Sequence, residues 1–327
     1  MSTIKDVAQH AGVSVATVSR VLNNNGYVHE DTRNKVEAAI RDLSYTPNEV
    51  ARSLYKRKSK LVGLLLPDIM NPYFPELARG VEDVMQANDY RLIIGNSDEN
   101  KQKEMDYIQT FIQNNVVGVI SSTDDSAAEL YTKLQLPVVF VDRMSDDRPS
   151  VYADSREGGR IAARELLRRG CRSISIIQGP VHIRTAQERF EGAAEALSAQ
   201  GVHYDVLGTT SFSISDAEPS AEELFRKYPD TDGIIASNDI IASAVLAEAY
   251  RLGRRVPDDV QIIGFDNILL SRLLAPPLST IHQPAYDMGR EAAGILISLI
   301  EGRVLEQNNI QFPVEFVERQ STRKVES

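Results

Sequence analysis

Two kinds of apolar spacing divide the chain. Over the first sixty residues, apolar positions recur at helical intervals in short blocks; from Leu61 onward, continuous apolar runs alternate with amphipathic stretches. Thr3 stands ahead of Ile4-Lys5-Asp6-Val7-Ala8, and Asp6 three positions on completes a capping-box start to a first helix. Gly12-Val13 makes a tight turn, and Ser14 caps a second helix over Val15–Leu22. In that helix Val18, Val21 and Leu22 share an apolar face, whereas Val15, Ala16, Thr17 and Arg20 point outward. A third helix carries Val36, Ala39, Ile40 and Leu43 at the spacing that closes a small core. This is helix-turn-helix grammar. A further short helix is predicted from Pro47 to Lys56, with Val50 and Leu54 on one face among Arg52, Lys56, Arg57, Lys58 and Lys60. So short a helix is marginal in water alone. Its expected partner is a DNA minor groove, which admits an apolar side chain such as Leu54 between base steps.

Beyond Leu61, the runs LVGLLL, RLIIG, VVGVI and PVVFV read as buried strands, separated by helical stretches at Phe74–Ala87, Lys101–Asn114 and Ser126–Lys133. A second set, SISIIQ, GIIAS and VQIIGF, is separated by Ala186–Ala199, Ala217–Tyr228 and Ile240–Leu252; Tyr286–Ile300 and a strand-like Ile310–Val317 return at the end. Such alternation predicts an α/β fold of two doubly wound parallel-sheet subdomains behind a helix-turn-helix head and a hinge helix. The expected divisions are a head over 1–46, a hinge over 47–60 and a core over 61–327. Within the core, one subdomain takes about 61–160 and 291–320, and the other about 161–290.

Charge sharpens this division. Residues 1–60 hold ten Lys/Arg and six Asp/Glu, giving +4, while residues 61–327 hold 26 and 40, giving −14. A basic end on an acidic body suits a DNA-binding module whose remaining surface repels DNA. The single cysteine, Cys171, excludes an internal disulfide framework, and its place at the start of an apolar run suits a buried thiol. There is no apolar run long enough to span a membrane, so the expected compartment is the cytoplasm, associated with the nucleoid. Enzyme motifs are missing: no phosphate loop, no dinucleotide turn, and five scattered histidines without ligand spacing. Neither a cofactor nor a metal is expected. Gly158-Gly159, ahead of a helix, could hold an anion, but close packing is the commoner reason for such a pair.

Candidate chemistry gathers at strand ends. Asn71, Tyr73 and Phe74 follow the first strand, Asp142 and Arg143 the fourth, and Asn238 follows GIIAS. Phe265 and Asp266 end VQIIGF, Gln283 follows LSTIH, Arg189 lies early on its helix, and Phe212 stands in a polar run. Ligands of open parallel sheets bind beyond the carboxyl ends of the strands. A pentose offers apolar C–H faces and a belt of hydroxyls, which aromatic faces with Asp, Asn, Arg and Gln at the edge would meet. Each residue has an alternative: Asp142 or Asp266 could cap a helix, Arg189 could pair at the surface, and Phe212 could be core. On the DNA side, Arg20 presents a bidentate fork to guanine, and Val15 and Ala16 offer only apolar contacts. Thr3, Ser14, Thr17, Ser19, Asn23 and Tyr27 suit phosphate and edge contacts.

TIKDVAQHAGVSVATVSRVLN followed by YTPNEVARSL resembles the N-terminus of the LacI/GalR family of bacterial transcription regulators. VGLLLPDIMNPYFPELARGVE, VVFVDR, ASNDIIASAVL, VPDDVQIIGFDN and LSTIHQPAYDMG extend the resemblance along the whole chain. It implies a core like the periplasmic sugar-binding proteins, a homodimer, and double-stranded operator DNA as partner. The NPYF, VDR, QERFEG and SFS segments resemble ribose-responsive members, and the eleven strand-end candidates match sugar-contacting positions of ribose-binding proteins. The resemblance therefore implies a repressor controlled by ribose. The alternative is a catabolite-control-type regulator answering to a regulatory phosphoprotein, a phosphosugar or a purine, since purine-sensing relatives share the Tyr73-Phe74 pair.

Overall fold

A computed structural model describes residues 2–45, 59–123, 131, 134–145 and 147–325; the side chain of Asn23 is outside this set. The expected hinge helix with Leu54, and most of the helix expected at Ser126–Lys133, lie outside the described residues. The chain separates into two compact units, Met1–Ser59 and Lys60–Ser327.

In the first unit, helices α1 (Ile4–Ala11), α2 (Val15–Asn23) and α3 (Glu30–Asp42) enclose a core of Val7, Ala8, Val18, Val21, Val36 and Ala39. Thr3 and Asp6 form the capping box: the Asp6 amide donates to Thr3 Oγ1 at 3.3 Å and the Thr3 amide to Asp6 Oδ2 at 2.8 Å. Gly12 ends α1 at φ 67°, a backbone region open to glycine without steric penalty.

The second unit contains two six-stranded sheets. The first sheet is built from β1 (Leu61–Leu66), β2 (Arg91–Asn96), β3 (Val119–Ser121), β4 (Val138–Val141), β5 (Ser150–Ala153) and β11 (Asn309–Phe312), ordered β11-β5-β4-β3-β1-β2 and wholly parallel. The second is built from β6 (Ile174–Gln178), β7 (Tyr204–Gly208), β8 (Gly233–Ala236), β9 (Gln261–Asp266), β10 (Ser279–His282) and β12 (Glu315–Val317), ordered β12-β10-β9-β8-β6-β7. Only its edge strand β12 runs antiparallel. The intervening helices are α4 (Tyr73–Ala87), α5 (Lys101–Gln113), α6 (Ser155–Arg168), α7 (Arg184–Ala199), α8 (Ile214–Lys227), α9 (Asp239–Arg251) and α10 (Ala285–Ile300).

The chain changes subdomain at about residues 154, 284 and 313, not at 160, 290 and 320. Helix α6 begins at Ser155, where the Asp154 carboxylate accepts from the Glu157 amide, and its Ala162, Ala163 and Leu166 join the core under the second sheet. Helix α10 packs its Met288, Ala292 and Leu296 with Leu77 and Val81 of α4 under the first. The expected strand over Ile310–Val317 is two strands in different sheets, because Pro313 lacks the amide that a continuous ladder requires. Gly158 and Gly159 lie inside α6, not ahead of a helix. A Cβ at Gly159 would stand 2.0 Å from the Arg189 carbonyl oxygen, and one at Gly192 1.9 Å from that of Arg156. The glycines thus let α6 and α7 cross in backbone contact, and that crossing fixes Arg189.

Candidate effector cleft and DNA-reading head

Parallel strands end on the same side of each sheet, and among the described residues of the second unit those ends line a polar cavity. About 250 Å³ in volume, it is lined by Asn71, Tyr73, Phe74, Asp142, Arg143, Arg189, Phe212, Asn238 and Asp266. Nine of the eleven strand-end candidates are therefore brought together. Phe265 and Gln283 stand behind them. The Arg189 guanidinium lies 3.8 Å from the centroid of the Phe265 ring, and Gln283 Nε2 donates to Asp266 Oδ1 at 2.7 Å.

Each side chain is held by its local geometry. Asn71 Oδ1 accepts from the Tyr73 amide at 3.1 Å as α4 begins, and the Tyr73 and Phe74 rings meet edge to face at 5.2 Å. Tyr73 OH donates to Asp142 Oδ1 at 2.9 Å. Burial, with Asp142 and Asp266 nearby, holds the Tyr73 phenol well above its ordinary value, so it remains a donor. Asp142 and Asp266 both sit at positive φ, 66° and 102°, which turns the chain sharply as each strand ends. Arg143 Nη1 reaches Asp142 Oδ2 at 3.0 Å and donates to Thr185 Oγ1 at 2.7 Å. Arg189 Nη1 donates to the Ser237 carbonyl at 2.6 Å, with Nη2 3.4 Å from Asp266 Oδ1. Asn238 Oδ1 caps α9 through the Ile241 amide at 2.8 Å. Thr185 and Ser237 are supporting residues absent from the sequence reading; nothing in their local spacing marks them.

Three buried polar atoms at or beside the cavity have no protein partner among the described residues: Arg189 Nε, Asn238 Nδ2 and Gln283 Oε1. Leaving such groups unsatisfied is costly, so their convergence marks a place for a polar ligand. Three aromatic rings and a ring of carboxylates, amides and guanidinia can hold a hydroxylated molecule with an apolar face.

On the head, Val15, Ala16 and Arg20 are exposed along α2, and Thr17 and Ser19 are half-buried. Tyr27 is 89% exposed, although it is a large ring. The hydroxyls of Thr3 and Ser14 are engaged in capping, and Ser14 Oγ also bonds Thr17 Oγ1 at 2.9 Å. Asn23 lies in the last turn of α2.

Residues 3–48 match the bacterial regulatory proteins of the lacI family, and residues 163–322 match the periplasmic binding protein-like domain. The ribose operon repressor of Bacillus subtilis (strain 168) is 56% identical over 324 residues, which cover 99% of each chain. This chain belongs to the lacI family of bacterial regulatory proteins. A periplasmic binding protein/LacI transcriptional regulator from Alkaliphilus metalliredigens QYMF, solved with D-xylulofuranose, is 30% identical with a TM-score of 0.75. That match covers 81% of this chain and all of the other. The lac repressor dimer bound to operator superposes with a TM-score of 0.88 at 24% identity, covering 98% of this chain and 99% of that one, a likeness of fold. A lacI-family regulator is not an enzyme. Among the described residues no helix is long and apolar enough to cross a membrane.

In this regulator Asp266 is the cleft residue whose charge changes near neutrality. Burial, offset in part by Arg189, pushes its carboxyl up to about 7. Below both the unfolded and folded values, the group is protonated in either state. As pH rises from about 4, the unfolded chain releases the proton first. Folded Asp266 retains it until about 7, so this group lowers stability progressively across that window. Asp266→Asn is therefore expected to shift the change in melting temperature between pH 4 and 7 upward relative to the natural protein, by removing this one destabilising contribution. Parallel melting curves for the two proteins would contradict this assignment.

Proposed function

We propose that the chain is a homodimeric repressor of a sugar operon, that its head reads a two-fold operator, and that ribose in the cleft controls operator affinity. What carries the reading is the convergence of unpartnered Arg189 Nε, Asn238 Nδ2 and Gln283 Oε1 with Asp142, Asp266 and three aromatic rings around one cavity. The 56% identity to a ribose operon repressor, undiluted over the whole chain, supports the choice of sugar. One recognition helix covers a half-site, so two heads are needed for an operator with two-fold symmetry. Leu269 and Leu270, exposed on the 3-10 turn after β9, and Leu273, exposed directly after it, offer a second copy an apolar surface. The proposed division is a head over 1–46, a hinge over 47–60 and a core from residue 61.

Calorimetric titration of the full chain with ribose tests the effector, with ribose 5-phosphate, hypoxanthine and other pentoses alongside. Ribose alone is expected to bind, and at a hundred times its dissociation constant to add about 2.7 kcal/mol to stability. No heat and no stabilisation with millimolar ribose would overturn the reading.

Arg20 is exposed on the outer face of α2, which suits a fork reaching guanine O6 and N7. Arg20→Ala is expected to remove about 1–3 kcal/mol of discrimination at one base pair of each half-site. Binding to unrelated DNA should fall far less. Operator variants selected from random DNA, titrated at fixed salt, measure both. Equal losses on all sequences would assign Arg20 to phosphate instead.

A further inference from the structure

The turn that carries Asp266 is held from behind by a second carboxyl, one that does not meet the cleft. Asp266 and Asn267 follow one another at φ 102° and 60°, a region that side chains other than glycine rarely occupy. Such a turn persists only where its surroundings hold it. Here the two amides that follow Asp266 are both taken by one buried pair. The Asn267 amide donates to Thr280 Oγ1 at 3.3 Å, and the Ile268 amide donates to Asp239 Oδ2 at 2.9 Å. Thr280 Oγ1 in turn donates to Asp239 Oδ1 at 2.6 Å, so each oxygen of this carboxyl has a donor.

Asp239 opens α9, is wholly buried and does not line the cavity. Strand β9 leaves room for it: a Cβ at Gly264 would stand 2.2 Å from Asp239 Oδ1. Burial, and then Asp266 nearby, raises the Asp239 carboxyl well above its ordinary value, so placing it here is costly. Capping does not account for that cost, because Asn238 already caps α9 through the Ile241 amide. At the front of the same turn, Asp266 Oδ1 accepts from Gln283 Nε2 at 2.7 Å and lies 3.4 Å from Arg189 Nη2. Both contacts depend on where the turn points its side chain.

We propose that Asp239 is a positioning residue of the effector cleft: together with Thr280 it clamps the left-handed turn at Asp266 and Asn267, and so aims the Asp266 carboxyl at the ligand. The proposal rests on the reading of the cleft as the effector site, but not on which sugar fills it. An amide at position 239 could serve the same clamp, accepting from the Ile268 amide and donating to Thr280 Oγ1, which has a lone pair to spare. A methyl group could do neither.

The test compares the full natural chain with Asp239→Ala and Asp239→Asn, by carbon-13 NMR of labelled aspartate carboxyls. The signal lost in Asp266→Asn assigns Asp266. Burial pushes the Asp266 carboxyl up to about 7 and outweighs the opposing pull of Arg189. In ligand-free Asp239→Ala the released turn admits water, and the Asp266 midpoint is expected to fall toward the ordinary value of about 4. Asp239→Asn removes the same carboxyl but keeps both hydrogen bonds, and should leave the midpoint near that of the natural protein. Arg189, Asp142, Arg143 and Tyr73, the ionisable neighbours of Asp266 in the cleft, are unchanged in every variant. Thr280→Val removes the hydroxyl with little change of shape; it should act like Asp239→Ala and replaces it should the alanine variant not fold. In calorimetry, Asp239→Ala is expected to weaken ribose binding about tenfold and Asp239→Asn by no more than about twofold. An Asp266 midpoint unmoved by Asp239→Ala and Thr280→Val would overturn the proposal. So would a midpoint moved equally by alanine and asparagine at 239, or ribose bound equally well by all three proteins. A midpoint that falls in the alanine variant alone, while ribose gives no heat with the natural protein, would uphold the clamp and refute only the ribose reading.

Discussion

Replacing Arg189 with alanine is expected to weaken ribose binding by about 10- to 150-fold while the core stays folded. The guanidinium combines several duties. It donates to the Ser237 carbonyl, stands 3.4 Å from Asp266, lies over the Phe265 ring, and keeps a buried Nε with no protein partner. A ligand hydroxyl accepting from that Nε gains a charge-assisted hydrogen bond, and losing such a bond in a closed site costs about 1.5–3 kcal/mol. The substitution also removes the plane that orients Asp266. Removing one member of a buried ion pair ordinarily destabilises strongly, because a charge is left uncompensated. Here the remaining partner can discharge itself. Burial already pushes the Asp266 carboxyl to about 7, and Arg189 is the largest influence pulling it down. Without Arg189 the carboxyl rises further and is neutral at pH 7, still hydrogen-bonded to Gln283. Arg189→Lys should fall between the two proteins, since an ammonium keeps the charge but not the fork. Calorimetry with ribose and thermal melting, run on all three proteins, measure the effect. A folded Arg189→Ala protein that bound ribose normally would remove Arg189 from the site.

Much of this arrangement was legible in the sequence because parallel sheets announce themselves. LVGLLL, PVVFV and VQIIGF are buried on both faces and read as unbroken apolar runs. The residues immediately after them are thereby fixed at strand ends, which is why Asn71, Asp142 and Asp266 could be grouped before any contact was known. Strand β7 is less visible. Tyr204 and Asp205 are only half-buried at a sheet edge, and YDVLG has neither an apolar run nor clean alternation. The crossings were misplaced for a different reason. Asp154 and Pro313 are ordinary local signals for a helix start and a broken strand, and neither says which sheet the next element joins. The pairings that tune the cleft were least legible: Arg143 with Thr185, and Asp266 with Arg189 and Gln283, bring together residues far apart in sequence, and their effect on Asp266 arises only from shared burial.

Ribose is expected to weaken operator binding, with a coupling of roughly 1–3 kcal/mol, or about 5–150-fold in affinity. A ligand shifts an equilibrium only as far as it prefers one conformation over another. The cleft supplies such a preference. Asn71, Tyr73, Phe74, Asp142 and Arg143 come from the subdomain of the first sheet, while Arg189, Phe212, Asn238 and Asp266 come from that of the second. A sugar touching both groups favours the arrangement that brings them to hydrogen-bonding distance. Rotation of one subdomain against the other would move any surface of a dimer that spans them. The segment expected to transmit that motion, Pro47–Lys56, is read from sequence alone: a helix of this length does not persist in water unpaired. A small separation of two such helices would therefore melt them and withdraw Leu54 from the minor groove, losing the contacts that offset unstacking of the base step. Binding linkage is reciprocal, so operator should weaken ribose binding by the same factor. Operator titrations at fixed salt, with and without saturating ribose, measure one side of the cycle, and ribose calorimetry with and without operator measures the other. Tighter operator binding with ribose would make the sugar a corepressor and reverse the assigned direction of closure. Unequal factors in the two experiments would mean that ribose and operator do not act on one shared equilibrium.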